Sequence, residues 1–219
     1  MDGNQAGRER VQLRLIPGGM EPGDSPGGSS STEDADDVLR AQAGDNRARE
    51  VLFKRHLRML RHRVYRLLGP DPESEDIVQE AFLRAFSNLP KLIDPQAFGS
   101  WLSKIAVHLV NHRLRRRKLL RRLGFAPGAD RPEIMETVAS GEVSPATVTE
   151  ARRVYALLDG LPAEARVAFL LRHLEEMTVP EVSAQMGISE RTVKRRVALA
   201  ESRLSPYVEF GLKEKLSHE

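Results

Sequence analysis

Residues Thr178 to Leu204, TVPEVSAQMGISERTVKRRVALAESRL, constrain the fold more than any other stretch of this chain. Thr178 is suited to cap a helix, and Glu181, three residues on, completes a capping box. Pro180 falls in the first turn, where a missing N–H costs nothing. Gly187 provides the backbone freedom of a tight inter-helix turn, and Ser189 is suited to cap the helix that follows. On that second helix Val193, Val197, Ala200 and Leu204 recur at helical spacing and make an inward stripe. Arg191, Lys194, Arg195 and Arg196 are left mostly on the outer face. Two short helices joined by a glycine turn, the second one basic, have the layout of a helix-turn-helix DNA reader. Ser189, Arg191, Thr192, Lys194, Arg195 and Arg196 are the candidate duplex contacts, because residues near the start of a recognition helix reach base edges. A solvated basic face would explain the charge alone. It would not explain the capping box and the turn beside it.

Net charge says little, at +3 from 34 Lys+Arg against 31 Asp+Glu. Its distribution says more. Arg113 to Arg122 (RLRRRKLLRR) is strongly cationic, whereas Glu33 to Asp37 is acidic, and a segregated basic patch suits a polyanionic partner. The absence of cysteine rules out disulfides and thiolate metal sites, in keeping with a reducing, cytoplasmic setting. No apolar run is long enough to insert across a membrane, and the N-terminus lacks a hydrophobic signal core.

Composition divides the chain. Residues 1–32 are rich in Gly, Pro and Ser and are expected to form a disordered tail. Residues 33–122 read as helical nearly throughout, with a short helix at Val38-Leu39 and a longer one from Val51 to Leu68. A third runs from about Pro72 to Leu89, carrying Ile77, Val78, Ala81, Phe82, Ala85 and Phe86 on its apolar face. A fourth starts near Gln96 and carries Phe98, Trp101, Leu102, Ile105 and Leu109 into the arginine run. Residues 123–147 are broken by Gly and Pro, including Pro145, and are acidic; they read as a flexible linker. Helical periodicity returns at about Val148, and residues 148–210 form a second unit that ends with the helix-turn-helix, followed by a tail at 211–219. Convincing strand alternation is absent. The expected class is all-α: two small helical domains joined by a flexible linker.

Three strings, EDIVQEAFLRAF, SWLSKIA and GISERTVKRR, occur in this order and spacing. With them the chain resembles a bacterial RNA polymerase sigma factor, and more closely the two-domain extracytoplasmic-function (ECF) group, over roughly Asp34 to Tyr207. The resemblance implies that the third helix docks on a coiled coil of the polymerase's largest subunit through Asp76, Gln79, Glu80 and Phe82. It implies that the fourth helix and the preceding loop, Asn88 to Gln96, capture unstacked bases of the promoter element nearest the start site (the −10 element). Asn88, Phe98, Trp101, Lys104, Asn111, Arg115 and Arg116 are the candidates, aromatic faces stacking on bases and cations holding phosphates. Phe98 has core-like spacing to Leu102 and Ile105, so a purely structural role stays open for it. The helix-turn-helix would read the more distant (−35) element. Core RNA polymerase, promoter DNA and an anti-sigma factor are the implied partners. The acidic linker would thread the polymerase's basic channels.

Two rivals share parts of this pattern. A conventional helix-turn-helix regulator would bind duplex operator by itself as a dimer, but no heptad seam or effector pocket is legible. A metal-dependent nuclease would need ligands. His108 and His112 lie four apart in HLVNH, yet the Glu of an HExxH site is missing. Nor is there a phosphate loop or nucleophile motif. The reading is of a non-catalytic protein with no cofactor and no metal.

Overall fold

The computed structural model describes residues 11–12, 31–69, 71–124, 145–205 and 208–209. Most of the expected N-terminal tail, of the expected linker and all of residues 211–219 lie outside them. Helix α1 (Ser31–Gln42) leads into α2 (Asn46–Leu68), α3 (Ser74–Asn88) and, after two 3-10 turns, α4 (Phe98–Arg122). A second set follows: α5 (Pro145–Asp159), α6 (Ala163–His173), α7 (Val179–Met186) and α8 (Glu190–Leu204). The architecture is all-α, with one exception. Val11–Gln12 (β1) and Val208–Glu209 (β2) form a two-residue parallel ladder, too short to leave any alternation in sequence. Two boundaries also differ from the sequence reading. Helix α1 opens at Ser31, inside the expected tail, and α5 opens at Pro145, which starts a helix instead of breaking one. Proline is compatible with a first turn, where its N–H would be unpaired anyway.

The first four helices surround Leu52, Leu60, Val64, Phe82, Phe98, Leu102 and Val107, all 3 % exposed or less. Burying a side chain of this kind contributes about 1.5–3 kcal/mol. Asp45 caps α2 by accepting from the backbone of Arg47 and Ala48, at 2.8 and 3.2 Å. Buried Asp34 ties α1 to α2 through Arg55 (2.6 Å) and His56 (2.9 Å). Burial pushes the Asp34 carboxyl up, but these two partners outweigh it and hold the group below the usual carboxylate value.

The two helical sets share one apolar core and meet along a polar seam. The C-terminal end of α2 leaves carbonyls without intrahelical partners, and the second set supplies donors. The Tyr155 hydroxyl reaches the carbonyl of Arg66 at 3.2 Å, and Arg166 donates to those of Leu67 (3.1 Å) and Leu68 (2.7 Å). Gly69 closes α2 at φ 79°, and a Cβ there would stand 2.7 Å from the Tyr155 ring. Asp159 gathers Arg117, Arg121 and Arg166. Burial pushes its carboxyl up, but the three guanidinium groups outweigh burial and hold it below its ordinary value. Burial moves Arg166 down to about 10, which leaves it charged at neutral pH. Further along, Glu175 pairs with Arg63 (3.0 Å) and Arg66 (3.1 Å), all three side chains being nearly enclosed. Glu175 enters this seam from a turn in which Glu176 adopts φ 53°, an uncommon conformation for a residue with a side chain.

Candidate nucleic-acid interface

Helices α7 and α8 form as their local sequence dictates. The Glu181 N–H donates to the Thr178 hydroxyl at 3.4 Å, and the Glu181 carboxylate accepts from the Thr178 N–H at 2.7 Å. Gly187 adopts φ 66°, the left-handed turn that a Cβ disfavours. The Ser183 hydroxyl closes the turn by donating to the Ile188 carbonyl at 2.5 Å. Ser189 caps α8, accepting from the Thr192 N–H at 3.3 Å, and the two hydroxyls lie 2.9 Å apart. Val193, Val197, Ala200 and Leu204 are buried as the stripe requires. Arg191, Lys194 and Arg195 are exposed, and Arg196 is half-buried. Arg191, Thr192 and Arg195 line one open hollow at the start of the helix. Such a face suits a phosphate backbone and base edges.

On α3 the polar and apolar faces separate as expected, with one correction. Asp76 and Gln79 are exposed and Glu80 is half-buried, its carboxylate 2.6 Å from Arg84 one turn on. Phe82 is not on that face. It is 3 % exposed and packs on Phe53 and Phe86, with centroids at 4.7 and 5.9 Å. The spacing of Phe82 from Val78 and Ala85 puts it on the apolar stripe, so it supports the helix from beneath.

Helix α4 divides its candidates. Phe98 is fully buried, edge-on to His56 at 5.2 Å, and has no face to offer a base. Trp101 is half-buried and Lys104 exposed, one turn apart. Asn88 is half-buried at the end of α3, donating to the Arg84 carbonyl (2.9 Å) and accepting from Lys91 (3.0 Å). The loop beyond it is braced by Gln42, whose carboxamide donates to the carbonyls of Leu89 and Leu92, each at 2.9 Å. Arg116 is exposed. Arg115 is exposed too but pairs with Glu164 of α6 at 2.9 Å. Asn111, expected at a nucleic-acid surface, is instead 5 % exposed, and its Oδ1 has no hydrogen-bond partner. The arginine run is therefore not a uniform cationic rail. Arg113 turns inward to Asp71 (3.2 Å) and Glu73 (2.6 Å), and Arg117 to Asp71 (3.3 Å) and Asp159.

His108 and His112 both face outward. Partial burial and the nearby cations Lys104 and Arg115 hold the His108 imidazole below its ordinary value, so it is neutral at neutral pH. Among the described residues no group of three or more His, Cys, Asp or Glu is placed to hold a metal ion. No helix among them is long and apolar enough to cross a membrane.

An exposed acidic and amide face on α3, a half-buried Trp101 on α4 and a basic helix-turn-helix thus follow one another along the chain. The sigma-70 region 2 family matches residues 52–119, and the sigma-70 region 4 family matches residues 151–204. The chain is 32 % identical to the ECF RNA polymerase sigma factor SigM of Mycobacterium tuberculosis over 180 residues, 82 % of this chain and 86 % of that protein. The chain belongs to the ECF sigma factors. SigE of Mycolicibacterium smegmatis is 28 % identical over 86 % of this chain and 70 % of its own length. In fold, the chain is similar to CnrH as solved with the cytosolic domain of CnrY, at a TM-score of 0.52 and 22 % identity, covering 79 % of this chain and 95 % of CnrH. It is also similar to RpoE solved with the anti-sigma factor NepR from Bartonella quintana, at a TM-score of 0.51 and 21 % identity, over 72 % of this chain and 94 % of RpoE. As an ECF sigma factor the protein directs RNA polymerase to promoters, and sigma factors as a class are initiation factors and not enzymes.

Sequence reasoning missed the seam. Asp159, Arg166 and Glu175 sit at helix ends or on an apolar helix, and apart from the Asp159–Arg166 pair their partners lie about a hundred residues away or on α4. Only one signal was available: Arg166 interrupts the apolar run of α6, and a charge in that position needs a partner.

Proposed function

We propose that this ECF sigma factor divides its work among three surfaces. Asp76, Gln79 and Glu80 on α3 dock on a basic coiled coil of core polymerase; Phe82 only stiffens the helix that presents them. Trp101, Lys104, Arg116 and the loop from Asn88 receive the melted strand of the proximal element, joined by Asn111 and Arg115 once these are free. Arg191, Thr192, Lys194, Arg195 and Arg196 read the distal element, with Ser189 fixing the start of their helix. The observation that carries this reading is the separation on α3, where exposed Asp76 and Gln79 and half-buried Glu80 lie opposite the buried stripe of Ile77, Val78, Ala81, Phe82 and Ala85. Ionised carboxylates accept charge-assisted bonds from basic partner side chains, about twice as strong as neutral ones. The work takes place in the cytoplasm, alongside polymerase. The relatives solved with CnrY and with the anti-sigma factor NepR support the further reading that an anti-sigma factor holds this chain in reserve.

The test is binding to a labelled promoter fragment with and without core polymerase. A stable specific complex is expected only when core is present. Tight, specific duplex binding by the chain alone would instead favour a conventional operator-binding regulator.

A further inference from the structure

We propose that Gln42, on α1, is a positioning residue for promoter selection: it holds the strand-capture loop so that Ile93 at its tip meets one unstacked base of the proximal element. The proposal rests on the strand-capture role given above to α4 and the loop from Asn88, a surface to which no residue of α1 belongs. The loop consists of two 3-10 turns, Leu89–Lys91 and Pro95–Ala97, joined by Leu92, Ile93 and Asp94. Turns this short make few bonds of their own; in the first, the Leu92 N–H donates to the Leu89 carbonyl at 3.0 Å. Gln42 adds two more from 50 residues upstream of Leu92, its amide group bridging the Leu89 and Leu92 carbonyls at 2.9 Å each. A carboxamide NH2 carries two donors on one nitrogen, which suits it to span both ends of the turn. The helix behind it is a firm base. Asp34 ties α1 to α2, Gly44 turns the chain at φ 97°, and the Asp45 carboxylate that caps α2 also takes Arg40 at 2.7 Å. Helix α1 packs along both turns of the loop.

What the brace holds out is Ile93, 96 % exposed and the most exposed large apolar side chain among the described residues. A lone apolar side chain in water marks nothing by itself. Ile93 is set apart by how its neighbours are held. Leu92 before it is bound through Gln42 and packs against the core. Asp94 after it accepts from the Gln96 N–H at 3.0 Å, and Pro90 and Pro95 restrict the backbone on either side. The β-branched side chain has few rotamers of its own. Little freedom is therefore left to lose when something packs on it. The chemistry it can recognise is narrow: with no polar atom, it fits the face of a base freed from its stack, or the methyl group of a thymine. Exposed Lys91 stands two residues away for the phosphate.

Two substitutions separate the donors from the space they fill. Gln42→Met keeps the length and the helix preference but removes both donors, and Gln42→Lys supplies donors again from an ammonium group. The measurement is the Kd of the polymerase-bound chain for a single-stranded oligonucleotide carrying the proximal element of a promoter found by start-site mapping. It is repeated with each base of the element changed in turn. Gln42→Met should lower discrimination at one base about 10-fold, within the range that a single mismatched position spans. Ile93→Ala should lose discrimination at that same base, and the double variant should lose no more than Ile93→Ala alone. Gln42→Lys should regain the discrimination whatever its charge does to overall affinity, because attraction to phosphates is blind to sequence. Core binding and duplex binding of the distal element should match the parent in every variant. Hydrogen exchange across residues 88–97 should speed up in Gln42→Met and slow again in Gln42→Lys. Exchange unchanged in Gln42→Met, an even loss at every base, intact discrimination despite a lowered Tm, or no recovery with Lys would each overturn the proposal. A parent that prefers no base at any position would sink the strand-capture reading and the proposal with it; faster exchange in Gln42→Met would then mark the brace as purely structural.

Discussion

Truncating Phe98 and Trp101 separately should split stability from function. Phe98 is fully buried, between the rings of His56 at 5.2 Å and Phe86 at 6.4 Å. Phe98→Ala removes a whole ring from a packed site, which costs about 3–5 kcal/mol. The core is continuous across both domains, so the unit that melts has the size at which each kcal/mol lowers Tm by about 2–4 °C. Tm should then fall by about 6–20 °C in a calorimetric or circular-dichroism melt. Trp101 keeps part of its face in solvent, so Trp101→Ala should lower Tm by less. Its larger effect should appear in strand capture. Stacking contributes about 1–3 kcal/mol per base, so polymerase-bound Trp101→Ala should bind the melted strand about 5- to 150-fold more weakly. Binding is to be scored per folded molecule, below the Tm of each variant. If Phe98→Ala melts like the parent, the packing argument is wrong. If Trp101→Ala captures strands normally, the division of labour along α4 is wrong.

Asp76→Ala with Gln79→Ala should weaken holoenzyme assembly while leaving the melting profile intact, because both groups are exposed; unchanged affinity in a core-polymerase pull-down would count against the docking face. Arg195→Ala should lower the log–log salt slope of distal-element binding by about 0.9 if it contacts one phosphate, and a slope indifferent to it would mean that the charge is only solubilising. Thr178→Ala removes the cap of α7 and should cost about 0.5–2 kcal/mol, measured by urea denaturation. Thr178→Ser should recover most of that loss, and equal losses in both variants would show that the hydroxyl is not the stabilising group.

The helix-turn-helix was legible because its signals are local. Thr178, Glu181, Gly187 and Ser189 each act within a few residues, and each does in the structure what its chemistry prescribes. Phe82 and Phe98 were harder. A phenylalanine at helical spacing suits a core and a base equally well, and only the packed neighbours decide between them. Asn111 and the inward arginines were illegible for a different reason. Arg113, Arg115, Arg116 and Arg117 read alike in sequence, yet Arg113 and Arg117 meet Asp71 and Asp159, and Arg115 meets Glu164, through long-range packing. Pro145 misled because proline stops helices in their interior but starts them well.

In vitro transcription with core polymerase on genomic templates, followed by start-site mapping, addresses the central claim. Adding this chain should produce a discrete new set of start sites sharing two upstream elements. Start sites unchanged by its addition, under conditions where the chain is folded and core is active, would contradict the account.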